Sequence, residues 1–190
     1  MHPDRAADSY AIYSKLLPFD EPGRHPKEFL VEDATMDVVQ ADQPCRTEPQ
    51  SGLAARFDMS MNPHIAVHPT EGSKQDFEEI LEDFDARCHD RVLLGSDGWK
   101  ASAPVRLLTP AEQKEFESSR TGGSDPDGKY KGATTLYSFS EVYFNKQRTV
   151  ALVYASDWCG LLCAQGSWVA FGLENGEWKQ LRWSSTSWLS

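Results

Sequence analysis

Residues 134–188 constrain the fold more than any other part of the chain. Two runs rich in β-branched and aromatic residues, 136–144 and 149–158, are separated by the four polar residues Asn145-Lys146-Gln147-Arg148. Two more, 168–173 and 178–188, are joined through Asn175-Gly176, a dipeptide suited to the positive φ angles of a two-residue hairpin turn. Between the two pairs, Cys159 and Cys163 flank Gly160-Leu161-Leu162. Three hairpins in succession predict an antiparallel meander.

A three-residue tip containing glycine can bring two β-carbons within disulfide reach, and such a bond would pin the register of the hairpin. With Cys159 facing Cys163, one face of the sheet carries Tyr137, Phe139, Glu141, Tyr143, Leu152, Tyr154, Trp168, Ala170, Leu181 and Trp183. The other carries Val142, Ala151, Val153, Val169, Phe171 and Leu173, with Ser138, Ser140, Gln180 and Arg182 among them. Neither set is a bare solvent surface, so helices are expected on one face and partial shelter on the other.

The upstream sequence supplies the helices. Tyr10, Ile12, Tyr13, Leu16 and Leu17 recur at near-helical spacing, and Pro18 follows, which predicts a helix over 8–17. Phe29-Leu30-Val31 reads as a brief strand. Prolines 44, 49, 63 and 69 interrupt residues 36–69, with a helix expected at 53–59. The clearest helix spans 74–88, where Phe77, Ile80, Leu81, Phe84 and Cys88 share a stripe behind an N-cap at Ser73. Strands are expected at 92–94 and 105–108. Thr109-Pro110-Ala111-Glu112 then forms a capping box that opens a helix running to about residue 118. The predicted class is α+β: one domain over residues 1–190, with a helical and loop layer (1–133) packed on an antiparallel sheet (134–190). By analogy of element order, the expected architecture is a curved sheet wrapped on helices, as in cystatin-like or nuclear-transport-factor-like rolls.

Charge narrows the partners. The chain carries a net −10 with a pI near 4.9, whereas a nucleic-acid backbone or an anionic membrane would call for a basic surface. The imbalance is concentrated upstream, with 25 acids and 13 bases in residues 1–128 against 4 acids and 6 bases in 129–190. No apolar run is long enough to span a bilayer, and residues 1–10 lack the basic and apolar regions of a signal peptide. The expected location is secreted or periplasmic if a leader has been removed, and cytoplasmic otherwise. No phosphate-binding glycine loop, zinc-protease motif or calcium loop is present, and no cofactor is expected.

Four groups of residues invite a chemical reading. Cys159 and Cys163 are either a structural staple or, in the alternative, a redox pair, although their spacing and hairpin setting differ from a CxxC motif at a helix start. His64, His68, Cys88 and His89 could supply metal ligands; Pro63 and Pro69 argue against the helix that would bring His64 and His68 together, and no metal is expected. Glu141 falls among Tyr137, Phe139, Tyr143, Tyr154 and Trp183, where a carboxylate would have a raised pKa and could act as acid or base. The serines show no nucleophile elbow: Gln165-Gly166-Ser167-Trp168 lacks the spaced glycines.

FSEVYFN (139–145), TVALVYA (149–155), CGLLCAQG (159–166), NGEWK (175–179) and the closing Trp188-Leu189-Ser190 together resemble a bacterial protein family of no established activity. Its carboxy-terminal pattern is roughly FSxVxFN, ALVY, CGxLCGxG, GxWK and W-[IL]-S. AIYSKLL, EEILEDFDARC and PVRLLTPAEQKEF belong to the same type, so the likeness extends over most of the chain; Ala164 stands where a second glycine is common. The resemblance implies an exported protein and a Cys159–Cys163 bond, with no catalytic residues to carry over. The sequence thus leads to a non-catalytic binding or accessory module of the bacterial envelope or exterior, taking a protein or small-molecule ligand on an aromatic face of Tyr137, Phe139, Glu141, Tyr154, Trp168 and Trp183. An enzyme using Glu141 is the first alternative and a thiol redox protein using Cys159 and Cys163 the second.

Overall fold

A computed structural model describes residues 3–18, 27–46, 61–121, 128–130 and 132–189. Helix α1 (Pro3–Leu16) begins earlier than its apolar spacing suggests, because proline is tolerated in a first turn and Asp4 suits the positive helix end. Strand β1 (Phe29–Glu32) follows, then a single helical turn α2 (Pro63–Ala66), strand β2 (Val67–His68) and helix α3 (Lys74–Arg87). Strand β3 (Val105–Leu108) leads into α4 (Pro110–Arg120). The rest is strand: β4 (Leu136–Phe139), β5 (Tyr143–Phe144), β6 (Val150–Gly160), β7 (Cys163–Glu174), β8 (Glu177–Gln180), β9 (Ser184–Ser185) and β10 (Ser187–Leu189).

The α+β class holds, with helices upstream and antiparallel strands downstream. The sheet runs β10-β7-β6-β4-β1-β3, with β5 also on β6 and β8 also on β7. It is mixed rather than a pure meander, since β1 lies parallel to both β3 and β4. The hairpins form where the turn chemistry places them. Asn175 (φ 53°) and Gly176 (φ 82°) close β7 onto β8, and β6 pairs with β7 through Leu152↔Ala170, Tyr154↔Trp168 and Asp157↔Gln165.

Three local expectations are corrected. Residues 92–94 make one bridge, Leu93 to Ala34, because their pairing with 33–35 does not extend beyond it. Ser73 does not cap α3: a 3-10 turn (Glu71–Ser73) runs directly into the helix, and the Ser73 hydroxyl meets that of Thr70 at 3.2 Å. The run 178–188 is not one strand. It breaks after β8, sends β9 out to pair with β2, and returns as β10 alongside Gln165–Ser167. The helix expected at 53–59 lies outside the described residues.

Helices stand on both faces. Ile12, Tyr13 and Leu17 of the α1 region pack against Phe139, Val142, Ala151, Val153 and Phe171. On the other face Phe77, Ile80 and Phe84 of α3 cover Tyr143, Leu152, Tyr154, Trp168 and Ala170. Phe116 of α4 covers Leu30, Leu108 and Leu136 on that same side, with Trp158 against its ring. Each face of the central strands therefore contributes to a core, at roughly 1.5–3 kcal/mol for each large side chain fully buried.

Candidate functional site

The six aromatic-face residues do not form one surface. Phe139 pairs with Ala155 and Tyr143 with Leu152, so four steps along β4–β5 answer three along β6. One extra residue between them is a β-bulge, and an odd insertion reverses which face every earlier side chain meets. Tyr137 and Phe139 consequently lie on the α1 side with Val153 and Ala155, while Tyr154, Trp168 and Trp183 lie under α3. Tyr154 and Trp168 are core: both are buried, with their rings edge to face at 5.4 Å. Trp183 is partly buried against Phe77.

Glu141 sits in the bulge itself, 0% exposed. Arg87, from the last turn of α3, donates to Glu141 Oε1 at 2.8 Å, and Oε2 has no partner. Burial pushes this carboxyl above its ordinary value against the opposing pull of Arg87 and Arg5. Around it, α1 holds the bulge by its backbone. Tyr13 donates its hydroxyl proton to the Ser140 carbonyl at 2.9 Å, and Arg5 donates to the Val142 carbonyl at 3.0 Å while pairing with Asp83 of α3. Glu141 lines neither the cavity at the end of α1 nor the cleft at the 145–148 turn. Its geometry is that of a brace between two helices.

The strongest candidate for ligand contact lies on the α1 side, where that helix stops at Leu16 before reaching the end of the sheet. A cavity of about 180 Å³ opens there, with Tyr137, Phe139, Asp157, Gln165 and Ser167 on its floor and Leu16 at its rim. Tyr137 stands directly across from Asp157, and Asp157 directly across from Gln165. Burial, with the Asp157 carboxylate adding to it, pushes the Tyr137 hydroxyl above its usual value despite a hydrogen bond with Thr135. No hydrogen bond or ion pair engages the Asp157 carboxylate among the described residues. That leaves a half-buried charge, two rings, an amide and a hydroxyl facing one small space.

The chain matches no family model, no curated protein and no solved structure. The choice among its surfaces therefore rests on geometry. A larger cleft of about 380 Å³ lies between α1, α3 and the 145–148 turn, but each of its bases is already paired with an acid. Lys146 pairs with Glu82 at 2.9 Å, Arg148 with Asp8 at 2.6 Å and Arg5 with Asp83. Such a cleft already holds its own ligands.

The histidines are dispersed. His64 lies in the single turn of α2 and contacts Asp85 at 2.6 Å, while His68 is exposed in β2. Cys88 is bonded to Cys45, so although His89 lies nearby, neither sulfur is a free thiolate for a metal. Cys159 is bonded to Cys163 with their Cα atoms 5.1 Å apart. This hairpin tip projects Leu161 and Leu162, which are 75% and 89% exposed.

Asp157, Gln165 and Ser167 line the groove and are not among the aromatic-face residues that the sequence predicts. A signal for them exists. On the β6–β7 register, the face that reads Ala151, Val153, Ala155 and Phe171, Val169 turns polar at Asp157, Gln165 and Ser167, where an apolar face gives way to something other than core.

Proposed function

We propose that this protein is a non-catalytic binding module of a compartment in which disulfides persist, and that it engages its ligand in the groove beyond the end of α1. The observation that carries the reading is a carboxylate, Asp157, unpartnered among the described residues and held beside Tyr137 and Phe139 in a preformed depression. Concave sites with an apolar lining and a few convergent polar groups are the ordinary form of a binding site. The enclosure of Glu141 in an ion pair supports a non-catalytic role, because a carboxyl sealed between two helices has no route to a substrate. Both cysteine pairs support a secreted or envelope setting, since such bonds are rare where thiols are kept reduced. The resemblance to an exported bacterial family points the same way.

A fragment screen on isotopically labelled protein, read by amide chemical shifts, tests the site. The expected outcome is that hits perturb the amides of residues 137–139, 155–157 and 165–167 together. Hits confined to the charged cleft at 145–148, or to no common surface, would remove the groove from consideration.

A further inference from the structure

Resting on that reading of the groove, we infer that its ligand is one basic side chain, the ammonium of a lysine or the guanidinium of an arginine, presented by a partner polypeptide that also covers the Leu161–Leu162 tip.

Three features of the cavity favour a cation. Asp157 supplies a formal negative charge with no counter-ion among the described residues. Tyr137, directly across the ladder and only partly buried, offers a ring whose quadrupole attracts ammonium and guanidinium groups by about 0.5–2 kcal/mol depending on desolvation. Helix α1 ends at Leu16 on the rim, which brings the negative end of a 14-residue helix dipole to the same place. The one basic residue in that last turn, Lys15, is exposed and does not line the cavity.

Size selects a side chain over a larger ligand. At about 180 Å³ the groove is smaller than the roughly 300–1,000 Å³ typical of pockets that enclose whole drug-sized molecules. A lysine or arginine stem can lie over Tyr137 and Leu16 while its charged end reaches Asp157.

Continuity with the tip selects a polypeptide as the source of that side chain. From Asp157 the β6 strand runs to Gly160, and Leu161 follows about 13 Å away at roughly 3.3 Å per residue. Leu161 and Leu162 are large, exposed and held on a turn that the Cys159–Cys163 bond closes, so little conformational entropy remains to be lost when they are covered.

Amide chemical-shift titrations with three probes test this: n-butylammonium, n-butanol of matching shape, and the peptide acetyl-Lys-Gly-Gly-Leu-amide. n-Butylammonium is expected to perturb residues 155–157 and 165–167 at millimolar concentration, at least tenfold more tightly than n-butanol. Asp157→Asn is expected to abolish that preference without changing the thermal midpoint, because the carboxylate makes no hydrogen bond or ion pair among the described residues. The peptide is expected to bind at least tenfold more tightly than n-butylammonium, and Leu161→Ser/Leu162→Ser to erase the gain. Equal binding of n-butylammonium and n-butanol in the groove would overturn the cation while leaving the groove as a site. A peptide no tighter than n-butylammonium would overturn the polypeptide source. If no probe perturbs the groove, both this inference and the groove reading fall.

Discussion

A carboxylate without solvent contact must either find compensation or be neutralised, and Glu141 has both influences acting on it. Arg87 supplies the compensation at 2.8 Å, while burial raises the carboxyl above 4.5. Breaking one side of a buried pair costs about 3–5 kcal/mol, whereas replacing both partners with apolar groups is often nearly neutral. Arg87→Met is therefore expected to lower the urea midpoint at pH 7 by that much free energy at an unchanged slope, and Arg87→Met/Glu141→Leu to recover most of the loss. The pH dependence has a definite sign. A raised folded-state pKa means the folded protein favours the protonated carboxyl, so the stabilising contribution is complete below 4.5 and is lost as pH rises through the folded value. Wild type should accordingly gain stability over Glu141→Gln as pH is lowered through that window; a gap that instead narrows on acidification would mean the ionised form is the favoured one.

The elements differ in how much of their design is local. The α4 capping box is wholly local: the Glu112 amide donates to Thr109 Oγ1 at 3.4 Å, and the Thr109 amide donates to Glu112 Oε2 at 3.1 Å. Four consecutive residues contain all of it, so it could be read from the sequence. The bonds to its carboxylate, led by the one from the Thr109 backbone and joined by those from Arg106, the Thr109 hydroxyl and Lys129, hold the Glu112 carboxyl down at about 2. This linkage has the opposite sign to that of Glu141: the contribution is present above 4.5 and lost as pH falls toward about 2. Glu112→Gln is expected to cost about 1 kcal/mol at pH 7, given solvent screening of the partly exposed site. In chemical denaturation the gap should close as pH approaches that lower value. The β4–β5 bulge is the contrary case. Three contacts hold it from remote elements, Arg5 and Tyr13 of α1 on its carbonyls and Arg87 of α3 on its side chain, so the period-two alternation of the strand does not reveal it. A trace exists: Ser138 and Ser140 are polar on a phase where Val142 and Phe144 are apolar, and the change falls at Glu141. The groove was hidden for the same reason, because it depends on where α1 ends over strands more than 100 residues away. The parallel placement of β1 between β3 and β4 likewise leaves no mark in a run as short as Phe29-Leu30-Val31.

At the scale of the whole molecule, two cross-links divide the work unequally. Cys45–Cys88 joins the loop after β1 to the end of α3 across a sequence separation of 43, whereas Cys159–Cys163 spans only 4. In the chain-entropy account, closing those loops restricts the unfolded chain by about 4 kcal/mol and about 2 kcal/mol respectively. The first bond also ties down Cys88, which is buried at the end of the stripe where Phe77, Ile80 and Phe84 seal the sheet. The second serves an exposed turn whose removal from solvent contributes nothing to the core. Cys45→Ser/Cys88→Ser is therefore expected to shift the urea midpoint by close to the larger amount, with amide signals of α3 and of Leu152–Tyr154 moving as the α3 face loosens. Cys159→Ser/Cys163→Ser should shift it by the smaller amount at most, with perturbed signals limited to the hairpin tip. Treatment of the wild-type protein with glutathione at cytosolic ratios provides the matching test. If the bonds are structural, the Cys45–Cys88 pair resists reduction and the exposed pair opens first. Rapid reopening and re-formation of Cys159–Cys163 with turnover of glutathione would instead assign that tip a redox role, and the two leucines between its sulfurs would then mark a substrate-docking turn.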